Sequence, residues 1–277
     1  MRMVHRTMTP DDLDWALTLA AAEGWNPGHD DAPAFLAADP GGFFVTDVDG
    51  ARAAVILVVN HDPVTAFLGL YICQPTFRGR GIGYALWSHA LAHAGGRTIG
   101  LDGVPDQEGN YAKSGFELAG RTSRFEGIIV GQMSEDIREA TPDDTLGLAA
   151  MEAHAAGFAK NAFMARWVMP TATRKTLVLD RGVGAEGMVT VRACGVGHKI
   201  GPLVARSAGD AVTLLHAAAS HAPGGQVIVD IPDDNTDLAR HCERLGMTVG
   251  FSTARMYRGP APHPGTPHRT VATLELG

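Results

Sequence analysis

The segment Arg6-Thr7-Met8-Thr9-Pro10-Asp11-Asp12 returns 132 residues later as Arg138-Glu139-Ala140-Thr141-Pro142-Asp143-Asp144. Alone, this match shows only a shared helix start. Thr suits the N-cap, Pro the first turn, and the acids the positive end of the helix dipole. Further matches occur in the same order. Gly69 finds Gly201 at the same offset, Asp102 with Pro105 finds Asp230 with Pro232, and Gly115-Phe116 and Arg124-Phe125 find Gly246-Met247 and Arg255-Met256, 131 residues on. Order and spacing agree through the whole half, so the chain reads as two copies of one plan, 1–130 and 131–277, joined by Gly131 to Glu135. The length of 277 residues is comfortable for two domains and long for one.

Composition excludes several classes. With 45% hydrophobic and 19% charged residues the chain has the balance of a fully folding globular protein. A net charge of −7, with no clustered Lys or Arg beyond Arg78 and Arg80, argues against a nucleic-acid partner. Met1 to Asp12 holds no apolar leader, and the longest apolar run, Ala53 to Val59, is only strand length, so neither a signal peptide nor a membrane partner is expected. Cys73, Cys194 and Cys242 are odd in number and far apart, which fits neither a zinc site nor a disulfide framework and points to the cytoplasm; no metal is expected. No oligomeric state follows from the sequence.

The first copy alternates as an α+β unit around a mixed, mostly antiparallel sheet flanked by helices. Strands are expected at Arg2 to Arg6, Gly42 to Asp47, Ala51 to Asn60, Ala66 to Cys73, Thr98 to Leu101 and Glu117 to Phe125. Helices are expected at Asp11 to Glu23, Ala32 to Ala38, Gly81 to Ala94, and just before Gly115.

Between the strand ending at Cys73 and the helix beginning near Gly81 lies Arg78-Gly79-Arg80-Gly81-Ile82-Gly83. Three glycines in five positions let backbone N–H groups approach a ligand, and the following helix aims its positive end at the same point. This is an anion cradle. It lacks the terminal Gly-Lys-Ser/Thr of a Walker loop, and it lacks the spacing and following acid of a dinucleotide loop.

Pro75, Phe77, Arg78-x-x-Gly81-x-Gly83 and the apolar helix behind them resemble the coenzyme A pyrophosphate loop of the GNAT superfamily of N-acetyltransferases. Tyr111-Ala112-Lys113-Ser114-Gly115-Phe116 resembles that family's second hallmark. Glu23-Gly24-Trp25-Asn26-Pro27-Gly28 and Arg255-Met256-Tyr257-Arg258-Gly259 extend the likeness to a tandem group in which only the first copy keeps the loop. In the second copy Val204 to Gly209 is shorter and lacks the Gly-x-Gly. The resemblance implies an acetyl-CoA-dependent N-acetyltransferase with one coenzyme site, in the first copy. It also implies that Tyr71, Ile72 and Cys73 hold the pantetheine arm and acetyl oxygen through their backbone, and that Tyr111 protonates the departing thiolate.

The expected acceptor is a primary amine of a small molecule, attacking directly in a ternary complex. Cys73 has no His or Asp partner in sequence that would make it an acyl-enzyme nucleophile. An alkylamine of pKa about 10.4 loses its proton at pH 7 at a cost of about 4.6 kcal/mol, so a base is needed. The family often places a glutamate on the strand before the loop, but Ala66-Phe67-Leu68 carries no acid. Glu23, Asp31, His61 and Asp62 are the substitutes. In the resembled folds the connection between the first two helices lines the acceptor pocket, so Glu23, Trp25, Asn26 and Asp31 on that loop, together with His61, are the expected acceptor contacts, and Trp25 suits a cation. Asn161, Phe163, Arg166 and Trp167 occupy the corresponding connection of the second copy, with packing as their expected role. Thr270 to Leu276 alternates like a strand after the stiff Pro260 to Pro267. Two other classes stay open: an acyl-CoA-binding sensor without catalysis, and an enzyme acting on a protein lysine or N-terminus.

Overall fold

The computed structural model describes residues 1–277. The first copy runs β1 (Met3–Thr7), α1 (Pro10–Ala22), α2 (Asp31–Ala38), β2 (Phe43–Val48), β3 (Ala51–Asn60), β4 (Thr65–Cys73), α3 (Ile82–Leu91), β5 (Thr98–Gly103), α4 (Glu108–Lys113) and β6 (Glu117–Ile128). The second repeats it as β7 (Ile137–Glu139), α5 (Thr145–Ala156), α6 (Asn161–Trp167), β8 (Arg174–Asp180), β9 (Ala185–Ala193), β10 (His198–Val204), α7 (Ala208–Ala219), β11 (Gln226–Pro232), α8 (Thr236–Arg244) and β12 (Thr248–Arg258), with the short β13 (Arg269–Thr270) after it. The duplicated opening folds alike in both. Asp12 accepts from the Thr9 amide at 2.9 Å and from Arg6 at 2.5 Å, and Asp144 accepts from the Thr141 amide and from Arg138, each at 2.7 Å. Each box satisfies orphan amides at the helix start.

All thirteen strands form one sheet, in the order β1-β2-β3-β4-β5-β12-β6-β11-β10-β9-β8-β7, with β13 added to β10. The two copies exchange their last strands. β12 pairs with β5 of the first copy, β6 pairs with β11 of the second, and the two exchanged strands pair with each other at the centre. Charge locks the exchange: Arg255 on β12 grips Asp102 on β5 at 2.8 and 2.6 Å, and Arg124 on β6 grips Asp230 on β11 at 2.7 and 2.9 Å. Bidentate pairs of this kind fix strand identity as well as adding energy.

Helices from both copies also share one core. Phe35 of α2 stacks on Trp167 of α6 at 6.4 Å, and Phe163 lies 4.8 Å from Trp167. Phe163 and Trp167 are thus packing residues, as expected, whereas Asn161 and Arg166 are exposed.

One local irregularity prepares the site. β4 and β5 pair in parallel only from Thr65↔Thr98 to Leu68↔Leu101. Beyond that point β4 bulges against β3, with Leu70 held at φ 46°, and leaves β5. The backbone of Gly69 to Cys73 therefore faces an open slot. The second copy has the same divergence after Ile200↔Val229, but there the slot is filled: Arg269 and Thr270 pair with β10, and the Val271 amide donates to the Asp230 carbonyl of β11 at 3.2 Å. Of the alternating stretch after Pro267, only Arg269–Thr270 is strand. Residues 271–277 turn back toward the first copy, where Glu275 meets Gly69.

Candidate active site

The slot opens into a cavity of about 430 Å³. From the first copy it is lined by Glu23, Trp25, Tyr71 to Cys73, Arg78 and Tyr111, all singled out from sequence. From β6 and the second copy come Arg124, Phe251, Thr253, Leu274 and Glu275, none of them assigned to the site from sequence.

The glycine loop stands at one end. Pro75–Phe77 forms one tight turn, and Gly79 and Gly81 then take φ of 73° and 75°, a region that L side chains rarely enter. No side chain caps α3, and the amides of Gly79, Arg80, Gly81 and Ile82 donate to no backbone carbonyl. Gly83 gives room below the loop, because a β-carbon there would stand 2.7 Å from the Tyr71 hydroxyl oxygen. Arg78 crosses the end of β4, donating to the Cys73 carbonyl at 2.8 Å and to Glu23 at 2.6 Å, while Arg80 is exposed over Phe77. Free amides, a helix dipole and two arginines suit a pyrophosphate. The counterpart helix α7 does not. Ser207 caps it by accepting the Asp210 amide at 3.1 Å, and Asp210 puts a carboxylate in its first turn.

An aromatic wall runs from the loop into the cavity. Trp87 of α3 stacks on Tyr111 at 5.7 Å and lies 5.2 Å from Tyr71. A β-carbon on Gly103 would run into the Tyr111 ring, so this glycine lets the tyrosine lean into the slot. Burial raises the pKa of the Tyr111 phenol and raises that of Tyr71 to about 12, so both are protonated at neutral pH. Burial likewise raises that of the Cys73 thiol, against the pull of Arg78, which removes thiolate character.

Three sequence candidates for acceptor contact are engaged elsewhere. Asn26 spans to the second copy, donating to the Val196 carbonyl at 2.8 Å and accepting its amide at 3.0 Å. Asp31 is buried between Arg192 at 3.2 Å and Arg174 at 3.7 Å, both of which lie over Trp167. His61 bonds the Leu276 carbonyl through Nε2 at 2.9 Å and lies against Phe158; burial and the nearby Lys160 lower its pKa to about 3. Asp62 closes its own turn on the amides of Val64 and Thr65. For Asn26, Asp31 and His61 the side-chain types suit a ligand, but their partners lie in the other copy. These contacts pin the loop from Glu23 to Asp31 and hold Trp25 at the cavity, its carbonyl accepting from Lys199 at 2.8 Å.

Comparison with known proteins agrees with the fold. The model of an acetyltransferase (GNAT) family matches residues 11–116, and that of an acetyltransferase (GNAT) domain matches residues 148–269. Holothin acyltransferase of Pseudoalteromonas sp. (strain SANK 73390) is 32% identical over 283 residues, covering 99% of this chain and 96% of its own. A crystal structure from Pyrococcus horikoshii, provisionally described as an acetyltransferase, is 22% identical with a TM-score of 0.83, covering 99% of this chain and 96% of that one. A tandem GNAT protein from the clavulanic acid biosynthesis pathway is 16% identical with a TM-score of 0.63, covering 94% and 99%. At those identities the two structures speak for the fold alone. No helix is long and apolar enough to cross a membrane. With both halves matched and one relative aligned almost end to end, the chain belongs to the GNAT family of acyltransferases, in its tandem form, whose members use an acyl-CoA as cosubstrate.

Proposed function

We propose that this chain transfers an acetyl group from acetyl-CoA to a primary amine of a small molecule, by direct attack, at a single site in the first copy. The observation that carries this reading is the joint lining of the cavity: free β4 backbone and Tyr111 on one side, and residues of β12 and the tail on the other. A volume of about 430 Å³ has to hold the thioester end, the acyl group and the amine together, which favours a short acyl group and a small acceptor. Residues of β12 and the tail wall the cavity on one side, which disfavours a protein lysine. The name holothin acyltransferase gives that relative one defined acceptor.

In this reading the amides of the loop hold the pyrophosphate and the amides of Tyr71 to Cys73 orient the arm and polarise the thioester carbonyl. The Tyr111 hydroxyl donates its proton to the departing sulfur. Trp25 presents an indole face to the incoming amine.

The test is turnover of acetyl-CoA against a panel of small amines that includes holothin, beside lysine peptides and longer acyl-CoAs. Acetylation of a small amine in preference to peptides supports the proposal. Tight coenzyme binding with no turnover of any acceptor replaces it with a non-catalytic acyl-CoA sensor.

A further inference from the structure

Three acidic residues line the cavity, Glu23, Asp102 and Glu275, and the carboxylates of two of them are committed. The Asp102 side chain is fully buried and held bidentately by Arg255. Glu23 is held by Arg78 at 2.6 Å, at the coenzyme loop. The Glu275 carboxylate makes neither a hydrogen bond nor an ion pair of its own, although the residue is only 9% exposed.

Its position is set by the tail around it. The amides of Glu275 and Leu276 both donate to Thr273 Oγ1, at 3.2 and 3.1 Å, and the Gly277 amide donates to the Thr273 carbonyl at 3.1 Å. Leu276 is buried in the core shared by the two copies, its carbonyl taken by His61. Lys160, itself paired with Glu152 at 2.6 Å, donates to the Gly277 carbonyl. With Thr273, Leu276 and Gly277 fastened around it, Glu275 is held at the cavity wall beside Leu274. Arg124, Lys199 and Arg192 stand close enough to interact with its charge, which offsets the cost of holding a carboxylate there.

We propose that the Glu275 carboxylate, delivered by the tail of the second copy into the cavity of the first, takes the proton from the attacking amine opposite Tyr111. This rests on the amine-acetyltransferase reading above. Glu275 removes one proton from the ammonium and frees the nitrogen lone pair. The N–C bond forms as the C–S bond breaks, and the sulfur leaves with the Tyr111 proton. The remaining surplus proton on nitrogen restores the tyrosine, and Glu275 releases its own to solvent. It supplies the function that the acid-free stretch Ala66 to Leu68 lacks.

The test uses the full chain, Glu275→Gln, and two small amines at pH 7: an alkylamine of pKa about 10, mostly protonated, and an arylamine of pKa about 5, already neutral. The expected result is a fall in kcat/KM of about 100-fold or more for the alkylamine, against about 5-fold or less for the arylamine, with acetyl-CoA affinity kept within about 3-fold. An equal loss for both amines indicates a structural role and overturns the assignment. Alkylamine turnover within about 3-fold of the unsubstituted chain overturns it as well. Absence of turnover by the unsubstituted chain with either amine and with the wider amine panel overturns the amine-acetyltransferase reading itself, and the assignment with it.

Discussion

The backbone of Glu275 rests on Gly69 so closely that a β-carbon at Gly69 would stand 2.9 Å from the Glu275 carbonyl carbon. Gly69→Ala therefore pushes the tail off β4. We expect turnover to fall at least about 10-fold, with a stability loss of about 1–3 kcal/mol and coenzyme affinity unchanged. Steady-state kinetics beside urea unfolding check this; full activity would mean that the tail does not need its seat on β4.

At the loop, Gly81→Asp places a carboxylate and a β-carbon where φ is 75° and the uncapped start of α3 is expected to meet phosphate. Acetyl-CoA affinity measured by calorimetry should fall by about 100-fold or more, while circular dichroism stays native. An unaltered dissociation constant would falsify the loop as the pyrophosphate site.

Tyr111→Phe keeps the stack on Trp87 and removes only the hydroxyl. A loss of about 10- to 100-fold in kcat, with coenzyme affinity within about 3-fold, is expected of a proton donor. If kcat holds and only affinity changes, Tyr111 is a wall of the cavity.

Asp230 and Arg124 are both buried, and they join the exchanged β6 to β11. Burial alone pushes the Asp230 carboxyl up, but Arg124 outweighs it and holds its pKa below the usual carboxylate value. Asp230→Ala removes the carboxylate that holds the buried guanidinium bidentately, and a destabilisation of about 3–5 kcal/mol is expected in urea unfolding. A change below about 1 kcal/mol would show that water reaches Arg124.

His61 sets a pH dependence. Burial lowers its folded pKa to about 3, so the neutral ring is favoured by folding. Its contribution is complete above the unfolded pKa near 6.5 and is lost as pH falls toward 3. Between about pH 6 and 4 this one group gives a slope of about 1.4 kcal/mol per pH unit. His61→Gln should flatten the profile by that amount, and an unchanged profile would mean that the ring protonates freely in the folded chain.

The element plan, the loop and Tyr111 were legible because each is a local pattern: apolar periodicity, glycines after a strand, a tyrosine before Gly115-Phe116. The strand exchange was not, since the order of elements along the chain is the same whichever sheet receives the last strand. Its signature was nonetheless present in the repeat. Asp102 and Asp230 recur, as do Arg124 and Arg255, yet the pairs form crosswise, Asp102 with Arg255 and Arg124 with Asp230. Repetition reveals that these charges matter without saying which copy each one serves. For the same reason Asn26 and Asp31 read as ligand contacts when they are fasteners between the copies. Glu275 belongs to no motif and reaches the cavity only through a tail that lies far from Tyr111 in sequence.

After β6 the chain runs straight on into β7, whereas after β12 a tail remains, and it visits both slots in turn. Val271 sits on Gly201 of the second copy, and Glu275 sits on Gly69 of the first. Connectivity thereby breaks the near-symmetry of the duplicated fold: the tail closes one cleft and leaves a cavity at the other. Grafting a glycine loop onto the start of α7 would leave the second slot closed, because β13 already pairs with β10 there.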